Sequence, residues 1–169
     1  MPSDKVTKER IALLHPKLRD EAFAIYEEIT DALGDKAMCR FTHTLRTFAE
    51  QDKLFAIGRT KAGRRVTNAS AGRSYHNYGL AIDIVLLHDR NNDWVYETIS
   101  YDQKADLDKD GRADWLEVVD IFKQYGWEWG GNWKFVDAPH FQKTLGYSVR
   151  QLLDLHNKGR VDKKGYVLI

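Results

Sequence analysis

One short segment constrains the fold of this 169-residue chain more than any other: residues 80–87 are apolar at every position except Asp83. An almost unbroken apolar run of this length predicts a strand at the centre of a sheet, covered on both faces. A carboxylate in such a strand costs free energy unless a cation or hydrogen-bond donors accompany it. Asp83 is therefore a candidate functional residue, although a buried Asp can also serve only to cap a turn.

Helix signals occur on both sides of this strand. Two segments repeat apolar residues at helical spacing. Two others open with a capping box, in which a Ser or Thr hydroxyl and a Glu or Gln side chain satisfy the first backbone amides. A glycine follows each segment at the position where a helix would end. The predicted helices begin near Leu18, Thr47, Trp115 and Ser148 and stop at Gly34, Gly58, Gly126 and Gly159.

Three more segments are predicted to be extended, and together they indicate the fold class. Residues 36–42 mix apolar and polar residues, residues 94–98 return as a strand from a turn at 89–93, and residues 134–142 form another strand or extended segment. Residues 59–73 are rich in Arg, Lys, Gly, Ser and Asn and predict a long loop, which in compact domains is often functional. We therefore expect an α+β fold, with a small antiparallel sheet and flanking helices.

Composition excludes several classes of protein. The formal net charge of +1 provides no large field for capturing DNA or RNA. The single cysteine, Cys39, excludes an internal disulfide and a Cys-rich zinc site, so any metal must be held by His and carboxylate groups. With neither an apolar run after a basic start nor a stretch of about 20 apolar residues, we expect no signal peptide and no membrane span. We expect one soluble domain over residues 1–169, a monomer made in the cytoplasm.

The residues with the clearest chemical potential lie in two separate segments. His76 stands at a loop–strand junction before Asp83, and His140 follows far downstream, three residues after Asp137. Catalytic zinc sites use three protein ligands and keep one position for water, so His76, Asp83 and His140 supply the required number. Asp137 could take a proton from that water. Spacing alone leaves the alternative that both histidines are structural, since the chain contains four others.

These segments resemble the signature of a known enzyme family. Residues 74–83 read Ser-x-His-x-x-Gly-x-Ala-x-Asp, and residues 137–141 read Asp-x-Pro-His-Phe. This pattern closely resembles the D-Ala-D-Ala carboxypeptidase and L-alanyl-D-glutamate endopeptidase family of zinc peptidases, part of a wider group that includes lysostaphin and the hedgehog domain. The resemblance covers residues 40–169, with the catalytic signature at 40–142. It includes Arg-Thr-x-x-x-Gln at 46–51, Trp-Glu-Trp-Gly-Gly-Asn-Trp at 127–133 and Gly-Tyr-Val at 165–167.

The resemblance implies roles for individual residues. His76, Asp83 and His140 correspond to the zinc ligands, held in a cleft of the sheet in a hedgehog-like fold. Asp137 corresponds to the general base, where many relatives have Glu. Arg46 corresponds to the residue that polarises the scissile carbonyl and stabilises the oxyanion. The residues expected to line the substrate cleft are Ser74, Tyr75, Gln51, Trp129 and Trp133, although a Trp is more often part of the core.

The resemblance also implies an activity. It predicts a zinc-dependent peptidoglycan endopeptidase that hydrolyses the L-Ala–D-Glu bond of the stem peptide. The chain looks most like a phage endolysin of this type, which acts on the bacterial cell wall after release from the cytoplasm of the infected cell. Two alternatives stay open: a D-alanyl-D-alanine carboxypeptidase with the same metal centre, and a wall-binding module that has lost catalysis. Intact Asp137 and Arg46 argue against the module.

A second metal site is predicted in residues 106–117, which fit the twelve-residue calcium loop. Gly111 stands at position 6, where the loop turns sharply, and Ala113 stands at position 8, where paired loops prefer a branched apolar residue. We therefore expect a lone calcium site, structural or regulatory, with a helix that leaves it from Glu117 onward. The alternative is a solvated acidic turn. The predicted ligands are the carboxylates of Asp106, Asp108, Asp110, Asp114 and Glu117 and the backbone carbonyl of Arg112.

Overall fold

The apolar run forms the centre of a small antiparallel sheet in the computed structural model, which describes residues 4–169. The strands are β1 (Ala37–His43), β2 (Ala81–His88), β3 (Thr98–Ser100), β4 (Glu128–Trp129) and β5 (His140–Gln142). The central strand β2 pairs with β1 along one edge, and its other edge is shared by β5 and β3. β4 pairs with the far side of β5. The predicted central strand is confirmed.

Five α-helices surround this sheet. They are α1 (Lys5–Ala12), α2 (Arg19–Ala32), α3 (Phe48–Ala56), α4 (Asp114–Gln124) and α5 (Val149–Asn157). The core contains Phe41 of β1, Phe122 of α4 and Phe141 of β5, which are all fully buried. The rings of Phe122 and Phe141 stack with their centroids 4.1 Å apart. The four predicted helices and the α+β class are confirmed, including the capping boxes that open α3 and α5.

Helix α1 was not predicted, because its eight residues carry only a weak apolar stripe. Contacts with distant residues hold it in place instead. The Asp4 carboxylate caps the helix at the Thr7 amide and forms an ion pair with Arg40 of β1, with Nη2 and Oδ1 2.9 Å apart. Thr7 Oγ1 accepts a hydrogen bond from the Phe41 amide at 3.0 Å. Local periodicity cannot reveal a helix that depends on such contacts.

Two predicted strands are wrong in extent. Residues 94–97 do not return as a strand, because the Asp89 carboxylate accepts hydrogen bonds from the Asn92 and Trp94 amides, and Trp94 is left-handed (φ +67°). The returning strand, β3, begins only at Thr98. Within residues 134–142 only β5 is a strand, and bends and a turn precede it. The two-residue strand β4 was missed, since it is too short for a periodic pattern.

Two predictions concern the chain as a whole. Among residues 4–169 no helix is both long enough and apolar enough to cross a bilayer. The assignment of residues 1–169 to one domain, and the monomeric state, remain predictions.

Candidate active site

The three predicted zinc ligands come from three elements and converge at one end of the sheet. Asp83 of β2 lies directly opposite His140 of β5 in the antiparallel register. His76 lies in a short 3₁₀-helix, Tyr75–Tyr78, just before β2. His76 Nε2 and His140 Nδ1 each lie 3.1 Å from Asp83 Oδ1, and they are 3.2 Å apart. The three ligand atoms therefore form a nearly equilateral triangle.

This triangle fits a tetrahedral zinc ion. Bonds of about 2.0–2.1 Å separate the ligands of such an ion by about 3.3–3.4 Å, close to the observed distances. Two imidazoles and a carboxylate are a donor set used by catalytic zinc sites. His76 Nδ1 lies 2.8 Å from the Thr44 carbonyl oxygen, which can only accept a hydrogen bond. His76 Nδ1 therefore donates to this carbonyl, which leaves Nε2 to face Asp83 and His140.

The charges of these residues also suit a cation. Burial disfavours ionisation of Asp83, but hydrogen bonds and charge interactions with His140 and His76 hold the pKa of Asp83 well below its ordinary value. Burial likewise disfavours the protonated form of His140, but Asp83 raises the pKa of His140 above its ordinary value. The site therefore contains an ionised carboxylate that attracts positive charge, either as a proton or as a metal ion.

Arg46 lies beside this triangle, just after β1. Its amide donates a hydrogen bond to the His76 carbonyl at 2.9 Å, and its carbonyl accepts one from the Asn77 side chain at 2.9 Å. The guanidinium lies 3.8 Å from Asp83 Oδ2 and donates to Gln51 Oε1 at 3.1 Å. Arg46 also lines the cleft that contains the triangle. The structure thus places the Arg46 guanidinium next to the three predicted ligands.

Asp137 lies at the rim of the same cleft. Its amide donates to the Gly130 carbonyl at 3.0 Å, and its carbonyl accepts from the His140 amide at 3.1 Å, so a tight turn sets its position. A Cβ at Gly130 would lie 2.4 Å from the Asp137 carbonyl oxygen, so this approach requires glycine. Asp137 is exposed at this rim, but partial desolvation of its carboxyl, despite His140, raises the pKa of Asp137. A raised pKa suits a group that must accept a proton.

The cleft around these residues has a volume of about 750 Å³. Ser74 and Tyr75 line it, as predicted. Trp133 also lines it, with its ring centroid 5.1 Å from that of His140. Sequence reasoning missed Tyr101, a cleft-lining residue just after β3. No local pattern could have identified Tyr101, because only the fold brings its segment to the cleft.

Two predicted substrate residues lie elsewhere. Gln51 is fully buried behind Arg46, and its Nε2 donates to the Ala69 carbonyl at 2.7 Å, so it anchors the long loop. Trp129 packs against the core and donates its indole N–H to the Ala138 carbonyl at 2.7 Å. Neither side chain lines the cleft. The structure therefore corrects both substrate assignments to structural positions.

The predicted calcium loop brings its acidic side chains together. Carboxylate oxygens of Asp106, Asp108 and Asp114 lie within 4.8 Å of one another, and so do those of Asp108, Asp110 and Glu117. Asp114 and Glu117 are buried. Asp114 Oδ2 and Glu117 Oε2 have no hydrogen-bond partner anywhere in residues 4–169. Buried oxygens left in this way cost free energy that a cation would remove.

Helix α4 begins inside this loop. Its first residue is Asp114, one residue before the predicted start near Trp115, so Asp114 and Glu117 lie about one turn apart on the helix. Burial, reinforced by the other loop carboxylates, raises the pKa of Glu117 to about 7. The Arg112 side chain pairs with Asp120 of α4. Sequence reasoning missed His88, which is buried with its Nε2 3.7 Å from Asp114 Oδ2.

Comparison with known proteins adds independent findings. A family model described as D-alanyl-D-alanine carboxypeptidase matches residues 67–143. The chain is 43% identical over 130 residues to the peptidoglycan L-alanyl-D-glutamate endopeptidase CwlK of Bacillus subtilis (strain 168), and the match covers 76% of this chain and 72% of that protein. It is 36% identical over 95 residues to the L-alanyl-D-glutamate peptidase of Listeria phage A118, covering 53% of this chain and 29% of that protein.

Proposed function

Because the chain belongs to the D-alanyl-D-alanine carboxypeptidase and L-alanyl-D-glutamate endopeptidase family of peptidases, we propose that it is a zinc-dependent endopeptidase that cuts peptidoglycan. The bond it hydrolyses is the one between L-Ala and D-Glu of the stem peptide. The observation that carries this proposal is the triangle of His76, Asp83 and His140 at the base of an open cleft. The names of the two similar proteins support the choice of bond.

The proposed metal ligands prepare the site for hydrolysis. Zinc held by these three residues would act as a Lewis acid, polarising the peptide carbonyl and lowering the pKa of a water molecule. Asp83 keeps its negative charge in the sheet because His76 and His140 surround it. The lone pair of His76 is already directed by the Thr44 carbonyl, so this ligand needs no rearrangement.

Asp137 and Arg46 perform the proton and charge steps of the proposed reaction. As the oxygen of the attacking water bonds to the L-Ala carbonyl carbon, Asp137 takes a proton from that water. When the carbon–nitrogen bond breaks, Asp137 passes that proton to the amino group of D-Glu. The Arg46 guanidinium, held by Gln51 and beside Asp83, stabilises the negative charge that develops on the carbonyl oxygen.

Ser74, Tyr75 and Trp133 form the walls against which the stem peptide would lie. The Tyr75 hydroxyl donates to the Tyr147 carbonyl at 3.0 Å, which fixes its ring in the wall. Trp133 is partly exposed beside His140, so it offers an apolar surface next to the reacting bond. These contacts would orient the substrate without taking part in the chemistry.

Mapping the products on purified peptidoglycan tests the function. New D-Glu amino termini, identified by mass spectrometry after digestion with the zinc-loaded protein, are the expected result. Released D-Ala would instead identify a D-alanyl-D-alanine carboxypeptidase. No product from a zinc-loaded protein that still sediments with the wall would identify a binding module. Asp137→Asn, loaded in the same way, is the control for contaminating hydrolases.

We further propose that the chain is a phage endolysin, made in the cytoplasm of an infected bacterium and acting on the wall after release. Similarity to the peptidase of Listeria phage A118 supports this role. When the protein is added to bacterial cells whose outer barrier has been permeabilised, the turbidity of the suspension should fall. An enzyme that trims isolated peptidoglycan but never lyses such cells would contradict the endolysin role and leave the cleavage reaction intact.

Residues 106–117 form the second proposed metal site, which binds one Ca²⁺. Its support is the spacing of the carboxylates and the two buried oxygens of Asp114 and Glu117 that lack hydrogen-bond partners in the described chain. Hard oxygen ligands of this kind suit Ca²⁺ rather than zinc. Titration calorimetry with Ca²⁺ tests this site directly, and the absence of a binding signal in the wild type would refute it.

A further inference from the structure

The second nitrogen of His140 is held by a residue to which the proposed reaction gives no role. His140 presents Nδ1 to Asp83, and its Nε2 lies 3.1 Å from Oε1 of Gln142. Both side chains are buried, with 7% of His140 and 9% of Gln142 exposed. They lie two residues apart on β5 and so share one face of the strand. The orientation of the Gln142 amide therefore decides whether Nε2 of His140 can donate a proton to Gln142.

Glu128 sets that orientation. Gln142 Nε2 lies 2.8 Å from Glu128 Oε2. An ionised carboxylate only accepts hydrogen bonds, so the amide NH₂ must face Glu128 and the amide oxygen must face His140. An amide oxygen also only accepts, so Nε2 of His140 must carry a proton to make this contact, while Nδ1, 3.1 Å from the Asp83 carboxylate, can carry a second proton or bind a metal ion. A metal ion bound at Nδ1 would take the place of the second proton, with Nε2–H still bonded to Gln142 and Nδ1 facing Asp83 and His76.

The sheet supplies this arrangement directly. Glu128 and Gln142 are opposite each other in the β4–β5 pairing, and Asp83 and His140 are opposite each other in the β2–β5 pairing. The two-residue strand β4 thus aligns Glu128 with β5. Without the acceptor at Gln142, a neutral His140 could carry its proton on Nδ1, the atom that must bind a metal.

We propose that Gln142 and Glu128 are positioning residues that hold His140 in the tautomer and ring orientation needed to bind zinc through Nδ1. This inference rests on the proposed zinc site. It assigns neither residue any contact with the scissile bond. Partners of metal-bound histidines typically change metal affinity by about 10–100-fold when they are removed, so the effect is measurable without any substrate.

Zinc affinity provides the first test. In competition with a chromogenic chelator, Gln142→Met, which keeps the length of the side chain but removes the acceptor, should bind zinc about 10–100-fold more weakly than the wild type. Glu128→Gln should weaken binding less, because its amide can still accept from Gln142 in one of two orientations. Glu27→Gln, on an exposed position of α2, is the matched control and should match the wild type. Unchanged zinc affinity in Gln142→Met would overturn the proposal.

Nitrogen-15 NMR of the histidine side chains separates positioning from a general loss of stability. In metal-free protein at alkaline pH, where the imidazole is neutral, Asp83 and Gln142 compete for the single proton of His140, and the wild type should have a measurable Nε2-protonated fraction. Gln142→Met should shift His140 toward the Nδ1-protonated form, while His76 keeps its own tautomer through Thr44. An Nε2-protonated fraction of His140 that is the same in this variant as in the wild type would contradict the proposal.

An exchange of the two groups provides a rescue. In Gln142→Glu with Glu128→Gln, a carboxylate still accepts from His140 and an amide donates to that carboxylate, so zinc affinity should return to within a few-fold of the wild type. Gln142→Glu alone places two carboxylates together and should bind more weakly than the exchanged pair. A correctly folded exchange variant that does not recover zinc affinity would contradict the proposed roles of Gln142 and Glu128. If the wild type bound no zinc, the proposed function would fail, whereas the metal-free tautomer would still test Gln142 and Glu128.

Discussion

At the scale of single residues, the site consists of side chains that other residues already hold in place through hydrogen bonds and ion pairs. The Thr44 carbonyl directs one lone pair of His76, and Asp83 stays ionised between two histidines. Arg46 is held by Gln51 on one side and Asp83 on the other. Such preparation would lower the cost of forming the proposed metal site and of stabilising charge during the proposed reaction. Three predictions follow from individual residues of the cleft.

Replacement of His140 by Ala should remove zinc and activity together. Two ligands, His76 and Asp83, do not complete the three-residue set of a catalytic zinc site. Elemental analysis of the purified variant is the measurement. His156→Ala, on α5 away from the triangle, should retain zinc. A full complement of zinc in His140→Ala would show that the metal is bound elsewhere.

Asp137→Asn should keep zinc but lower kcat by about 10²–10⁴-fold, because the amide cannot accept the proton of the attacking water. The Asn side chain is almost the same size, so the turn at Gly130 should persist. Turnover of a defined stem peptide and zinc content are measured on the same sample. Near-normal turnover of a zinc-loaded variant would remove Asp137 from the mechanism.

Arg46→Ala should lower kcat by about 10²–10³-fold with zinc content unchanged, since it removes the donor to the developing oxyanion. Arg64→Ala, on the exposed loop outside the cleft, is the matched control and should have normal activity. Thermal unfolding of both variants is recorded alongside the kinetics. A lower Tm with normal kcat would make Arg46 a structural residue only.

At the scale of elements, the 106–117 loop and helix α4 form one unit. The helix begins at Asp114, so its first turn carries two buried carboxylates, Asp114 and Glu117, next to the remaining acidic loop. Negative charge at a helix N-terminus is favourable. Burial of Asp114 and Glu117 and repulsion from the other loop carboxylates disfavour negative charge here, which raises the pKa of both residues. This conflict is resolved if Ca²⁺ binds the loop.

The pKa of Glu117 predicts a pH-dependent stability. A folded pKa of about 7 lies above the ordinary value of 4.5, so the contribution of Glu117 to stability is present below pH 4.5 and is lost as the pH rises through 7. Without calcium, Glu117→Gln should therefore have a Tm above that of the wild type by about 5 °C at pH 8, and the difference should vanish toward pH 5.

Calorimetric scans across this pH range, with and without Ca²⁺, provide the measurement. Saturating Ca²⁺ at pH 8 should raise the Tm of the wild type and have a smaller effect on Glu117→Gln, which lacks one ligand charge. A Tm difference independent of pH would show that Glu117 is not protonated in the folded protein. Comparison with the variant cancels the contributions of the other titratable groups.

At the scale of the whole molecule, the proposed calcium loop and the cleft are closer than the chain order suggests. Tyr101 lines the cleft wall and lies only five residues before Asp106. Its ring centroid is 6.1 Å from that of Trp115, the second residue of α4. From its other end, α4 leads through Trp127 to β4. A more ordered loop can therefore also order the cleft, either through the contact between Trp115 and Tyr101 or through α4 and β4.

Calcium should accordingly increase activity. Chelation with an agent that is selective for calcium and spares zinc should lower turnover, and Asp108→Ala with Asp110→Ala should reproduce this loss with zinc still bound. Asp31→Ala with Asp35→Ala, outside the loop, is the matched control. Calcium binding without any change in turnover would leave the site standing as a structural one and refute regulation.

The sequence by itself determined the elements with strong local signals and nominated the three residues that form the triangle. The apolar run around Asp83, the capping boxes and the terminal glycines specify β2 and four helices, because these signals act within a few residues. The spacing of His76, Asp83, Asp137 and His140 was sufficient, with the family resemblance, to nominate the site. Local signals of this kind can be recognised in the sequence without knowledge of the fold.

Only the tertiary structure decided the rest, because those features depend on contacts between segments far apart in the chain. Helix α1 is held by Arg40, and β4 exists through its pairing with β5. Tyr101 lines the cleft, whereas Gln51 and Trp129 make structural contacts elsewhere, because packing rather than sequence pattern sets where a side chain points. Gln142 has no recognisable signal in the sequence. Its role emerges only when the sheet register places it between His140 and Glu128.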